Sequence, residues 1–200
     1  MYFAIKTNNF FVFGEKLSME YYSFDNKNEN LPFCIAKAIE NMVEMPVESP
    51  ILLFIGSDGN IGDSLAPLCG TLFTGQNTAC ISYGSLNSPV SAKEVPYLVN
   101  FVKKCHPGAI FVVIDAAVGK NQDLGMIKVQ KCGIKPGLGV NKNLPMVGDI
   151  SIVGVLAEKR SSNSIMSPVR LSTVYEMAKS VADGLNIFIK NNENALKRAK

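Results

Sequence analysis

The sequence predicts an α/β protein, a three-layer αβα sandwich on a mostly parallel central sheet, and three observations carry that prediction. Residues 51–55 (Ile-Leu-Leu-Phe-Ile), 109–116 (Ala-Ile-Phe-Val-Val-Ile-Asp-Ala) and 149–157 are nearly continuous apolar runs, the pattern of strands buried on both faces. Between and after them lie segments whose apolar residues recur at helical spacing. Strands that alternate with helices pair in parallel through crossovers, which places helices on both faces of the sheet.

The elements follow in order. Residues 2–24 hold short aromatic runs, Phe10-Phe11-Val12-Phe13 and Tyr21-Tyr22, that fit a hairpin. The polar stretch 25–30 is a loop. Asn30 is placed to cap a helix with Pro32 in its first turn, whose apolar face is Cys34, Ile35, Ala38, Ile39 and Met42. After the first core strand and a Gly-rich loop, Leu65, Leu68, Cys69 and Leu72 mark a helix that Gly75 is placed to stop. Residues 78–83 read as a second strand, and 91–104 as a helix with Val95, Leu98, Val99 and Val102 facing in. Residues 126–130 alternate apolar and polar, so they predict a more exposed strand. Pro168 opens a long helix bearing Leu171, Val174, Ala178, Val181, Leu185 and Phe188. The reading is one domain over 1–200, with an N-terminal extension at 1–50, a core at 51–190, and a polar tail at 191–200 that is expected to fray.

Composition narrows the function classes. Over 200 residues, 20 Lys+Arg stand against 17 Asp+Glu, and a net charge of +3 is too balanced to imply nucleic acid or an anionic membrane as partner. Hydrophobic residues at 47% and charged residues at 18% fit a globular chain with a real core. No apolar run approaches the roughly 18 residues that span a bilayer, and the start lacks a secretory pattern. The five cysteines, Cys34, Cys69, Cys80, Cys105 and Cys132, are odd in number and widely spaced, with no C-x-x-C. Reduced thiols and a soluble cytoplasmic protein are expected.

Two loops leave strand carboxyl ends with a carboxylate in tow. One is Gly56-Ser57-Asp58-Gly59-Asn60-Ile61-Gly62-Asp63, which puts Asp63 at a helix N-terminus where the macrodipole favours an anion. The other ends at Asp115, after Phe111-Val112-Val113-Ile114. A carboxylate ending an apolar strand is costly without a partner or a function. In α/β sheets the ligand crevice lies outside the carboxyl ends of the strands, so both groups are expected to face one crevice. There they can split the roles of base and acid or share a cation. The structural alternatives are a helix cap for Asp63, an acceptor for loop amides for Asp115, and a turn residue for Asp58.

Other chemistries fit poorly. The Gly-rich loop matches neither G-x-G-x-x-G nor a P-loop, and its two aspartates would repel phosphate. His106 is the single histidine and precedes a strand, at the amino edge of the sheet. That location speaks against Ser-His-Asp, Cys-His and His-metal mechanisms. The segment 135–142 (Lys-Pro-Gly-Leu-Gly-Val-Asn-Lys) offers backbone amides and Lys142 for an oxyanion or an extended peptide, or is an ordinary surface loop.

Five blocks, in order and at natural spacing, resemble the YyaC family of sporulation proteins: residues 54–70, 83–90 (Tyr-Gly-Ser-Leu-Asn-Ser-Pro-Val), 114–119 (Ile-Asp-Ala-Ala-Val-Gly), 135–142 and 144–154. The resemblance runs from about residue 51 to 186. That family is similar to the germination protease of bacterial spores and, more distantly, to hydrogenase maturation endopeptidases, and it implies their αβα peptidase fold. It also implies that Asp63 and Asp115 are the essential carboxylates of an endopeptidase acting in spore formation or germination. Gly56, Asp58, Gly137, Gly139 and Lys142 would then contact the substrate. A protein or peptide substrate follows, with small acid-soluble spore proteins as the candidates, in the cytoplasm of the sporulating cell or the spore core. No nucleic acid or membrane partner is implied; an oligomer is compatible with the reading. The chain departs from the family at Ser91, where relatives usually carry His, and at Ala66, where they often carry Gly. Without that histidine, no cofactor is expected, and a divalent metal between Asp63 and Asp115 is the lesser alternative. A non-catalytic sporulation factor that binds a peptide or protein is the competing function.

Overall fold

The computed structural model describes residues 5–12, 15–48, 50–75, 80–135, 146–158 and 169–199. Strands β1 (Ile5–Val12) and β2 (Glu15–Asp25) precede helix α1 (Leu31–Met42). Then come β3 (Ile51–Phe54), α2 (Leu65–Thr74), β4 (Ile81–Tyr83) and α3 (Val95–Cys105). Strands β5 (Phe111–Gly119), β6 (Met126–Gln130) and β7 (Ile150–Glu158) lead to α4 (Leu171–Ala199). They build one seven-stranded sheet in the order β1-β2-β6-β7-β5-β3-β4. The block β7-β5-β3-β4 is parallel. The wing β1-β2-β6 is antiparallel and joins the block through an antiparallel β6–β7 pair.

The three layers follow from which side chains alternate to which face. Leu52, Phe54, Val112, Ile114, Ile127, Val129, Ile150 and Ile152 point to one face and pack with α1, α2 and α4 in the main core. Leu53, Ile55 and Val113 point to the other, where Val95 of α3 covers them. Each large side chain so buried contributes about 1.5–3 kcal/mol. The sequence reading of an αβα class holds, with the parallel arrangement concentrated in the central block.

Several local expectations change. The N-terminal extension contributes to sheet and core: β2 pairs with β6 inside the sheet, and Tyr22, Phe24, Leu31, Ile35 and Ile39 belong to the main core. The hairpin is realised in the β1–β2 register. Asn30 holds the cap position of α1 without a side-chain cap bond; its backbone amide donates to Asn28 Oδ1 instead. Gly75 ends α2 in a right-handed conformation. The polar tail is helical as far as Ala199, as part of α4. Asn192, buried within it, donates to Val47 O at 2.8 Å and accepts from Val47 N at 2.7 Å. Leu171 is 56% exposed rather than core. Pro168 and residues 78–79 lie outside the described residues.

Candidate active site

The site lies where the sheet changes direction. The chain leaves β3 through α2 toward β4 at one edge, then returns through α3 on the opposite face to β5. From β5 it moves to the other side, to β6, and turns back into β7 next to β5. The carboxyl ends of β3 and β5 therefore flank a topological switch point, the place where such sheets bind ligands. The loop after β3 carries Asp63; Asp115, expected to end its strand, lies in mid-strand instead, because β5 continues beside β7 to Gly119, although β3 stops one register position short of it.

A chain of backbone bonds fixes the two carboxylates. Ile55 N donates to Ile114 O at 2.8 Å, which ties the end of β3 to the residue before Asp115. Gly56 N donates to Val90 O at 3.0 Å, and Ser57 N donates to Asp63 O at 3.1 Å. Only glycine fits at position 56, because a Cβ there would strike the Asp63 carbonyl oxygen and sit 2.9 Å from Pro67 Cδ. Gly84, at φ +95°, does the same beside Phe54, where a Cβ would strike the Phe54 carbonyl oxygen. Asn60 Oδ1 accepts from Gly62 N at 2.9 Å and shapes a 3-10 turn, Ile61–Asp63. That turn packs against both β5 and α4. Ser64, buried, donates its hydroxyl to Ile61 O at 2.9 Å and precedes α2.

Asp63 thus ends a 3-10 turn two residues ahead of α2, rather than opening the helix itself. It is exposed at the rim. Partial loss of water raises its carboxyl above the ordinary range, and the Ser57 amide beside it pulls it partly back. Asp115 lies deeper. Burial pushes its carboxyl up to about 7; the bond from Ala116 N to its Oδ1, 2.8 Å long, opposes this, and the charge of Asp63 adds to it. Burial is the main cause of both upward shifts, and the charge of Asp63 is the smallest contribution to that of Asp115.

The other sequence-predicted positions divide. Gly56 is buried and its amide is committed to Val90 O, so it shapes the loop instead of offering a donor. Asp58 is exposed in the turn that follows. Gly137, Gly139 and Lys142 lie outside the described residues. His106 precedes β5 at the opposite edge. Ser91 follows Val90 and so neighbours the Gly56 loop, but its amide donates to Glu94 Oε2 at 2.7 Å as the opening of α3. Among the described residues, no group of three or more His, Cys, Asp or Glu could hold a metal ion. The two carboxylates with Ser91 do not make the donor set of a nickel site. Two cavities of about 570 Å³ each lie elsewhere, one between α1 and the end of α4 and one at the amino edge of the sheet. No described helix is long and apolar enough to cross a membrane.

Sequence reasoning missed Asn60 and Ser64 as builders of the Asp63 turn. The Asn-x-Gly spacing of an Asx turn was the available signal for the first; a buried serine capping its own turn left none.

The fold and site define a class: an αβα protein with an acidic pair at the switch point of its sheet. A family profile described as "Protein of unknown function (DUF1256)" matches residues 21–184, and the chain belongs to that family. A relative in Bacillus subtilis (strain 168), "Uncharacterized protein YyaC", is 34% identical over 139 residues, which cover 68% of each chain. The family match begins ahead of the residue 51 expected from the motifs, in keeping with the place of β2 and α1 in the sheet and core.

Proposed function

We propose that the protein is a carboxylate-dependent endopeptidase, similar in mechanism to the spore germination protease, that acts in spore formation or germination. The feature that supports this reading most is a buried Asp115 whose carboxyl is pushed up to about 7, with the charge of Asp63 adding to the shift. In this reading ionised Asp63 takes a proton from a water whose oxygen attacks the scissile carbonyl carbon. Protonated Asp115 gives its proton to the amide nitrogen, and the C–N bond breaks. Asp63 ends protonated and Asp115 ionised, and exchange with solvent resets the pair. Asp58, Gly137, Gly139 and Lys142 are the proposed contacts to an extended peptide. No metal or cofactor enters this scheme.

The test is incubation with small acid-soluble spore proteins, alongside an Asp63→Asn/Asp115→Asn double variant, with cleavage read by mass spectrometry. Cleavage by the wild type alone is expected. Its rate should fall as pH rises through about 7, where Asp115 loses the proton it must donate. Equal cleavage by the double variant would rule the mechanism out. Absence of cleavage from folded wild type would favour a non-catalytic peptide-binding factor, a reading that Ser91, spent on the start of α3, also fits.

A further inference from the structure

We propose that α3 is a self-association surface, through which two copies of this chain pair their α3 helices antiparallel about a two-fold axis. The inner side of α3 is occupied by Val95 and Val102, with Leu98 and Val99 partly buried against the sheet. Its outer side carries Tyr97, 81% exposed, and Phe101, 58% exposed. Two large aromatics one helical turn apart and open to water are not needed by the fold. Exposed Glu94 and Lys104 flank them.

The spacing of these four residues identifies the occupant. Glu94, Tyr97, Phe101 and Lys104 follow one another at intervals of three, four and three, the seam of a paired helix. The series is symmetric about position 99: acid, aromatic, aromatic, base. In an antiparallel pair Tyr97 meets the partner's Phe101, and Glu94 meets the partner's Lys104. In a parallel pair, acid would face acid and base would face base. A two-fold interface requires this self-complementarity, in which each residue of one copy contacts its counterpart in the other. Glu94 Oε2 accepts from the Ser91 amide, and its second oxygen can take the lysine. An 11-residue helix is only about 16 Å long. The contact therefore belongs to the small, reversible class of interfaces, and the carboxylate site does not depend on it.

Sedimentation velocity of the full chain over a concentration series tests this. The wild type is expected to pass reversibly from monomer to dimer. Phe101→Ser, which leaves every described cap bond intact, should raise the dissociation constant about tenfold or more, the usual effect of losing a central aromatic. Lys104→Glu and Glu94→Lys should each weaken self-association. An equimolar mixture of those two variants should restore it, because each then meets an opposite charge at both ends of the seam. Thermal melts check that Glu94→Lys, which alters the start of α3, stays folded; Phe101→Ser decides the matter if it does not. A wild type that stays monomeric at the highest attainable concentration would overturn the proposal. So would a dimer that Phe101→Ser leaves unchanged, or folded charge variants that fail to associate when mixed.

Discussion

Two edges of the same sheet each carry an aspartate near β5, and they use it in opposite ways. At the amino edge, Asp149 precedes β7. Its Oδ2 accepts from Phe111 N at 2.8 Å, while its own amide donates to Phe111 O at 2.9 Å. The carboxylate closes a two-way stitch between neighbouring strands. At the carboxyl edge, Asp115 accepts one bond, from the amide of the next residue, and its surroundings include a second carboxylate. The first arrangement spends a charge on backbone donors and stabilises the fold. The second confines a charge where its ionisation is disfavoured, which is a feature of sites that move protons. An aspartate beside an apolar strand run is thus ambiguous in sequence, and the identity of its partners decides its role.

That contrast can be broken or sharpened by substitution. The largest effect is expected from Gly56→Val, which forces a side chain into the Asp63 carbonyl and Pro67. A loss of about 3 kcal/mol should appear in denaturant unfolding, and the carboxylate pair should be displaced with it. A smaller loss, about 2 kcal/mol, is expected for Asn192→Ala at the amino edge, because both polar groups of buried Val47 lose their partner. That loss should not move any acid titration at the carboxyl edge.

Asp115→Asn should act in the other direction and depend on pH. The Asp115 carboxyl is raised from 3.8 to about 7 in the folded chain, so the native state binds more protons than the unfolded chain between those values. Stability falls as pH rises through that window and levels off above it. The amide keeps the acceptor for Ala116 N and carries no charge. The variant should therefore be more stable to unfolding than wild type at pH 8, by about 1–2 kcal/mol after allowance for solvent screening, and the difference should vanish near pH 4.

Much of this was legible in the chain. The buried runs at 51–55, 109–116 and 149–157 announce parallel strands because both their faces are covered. The alternation at 126–130 reports a strand whose side chains are buried on one face and partly exposed on the other. The crevice rule put Asp63 after β3, as found, but the strand carrying Asp115 runs past the apolar run 109–116 to Gly119. Hidden from the sequence were features that depend on distant partners. The tail at 191–200 looks polar because most of it is solvated, yet Asn192 anchors it to Val47, 145 residues away. Residues 1–50 lack the motif blocks, yet β2 completes the sheet and α1 completes the core. Likewise, the resemblance made Gly56 a substrate contact, but its amide is taken by Val90, brought alongside by a bridge to Ile55.

The central claim, that Asp63 and Asp115 form one coupled acid pair, is tested most directly by following the Asp115 carboxyl carbon by NMR across pH in wild type and in Asp63→Asn. The expected wild-type midpoint is about 7, and it should move down when the neighbouring charge is removed. A midpoint near 3.8, the ordinary value for Asp, or one that Asp63→Asn leaves in place, would contradict the account.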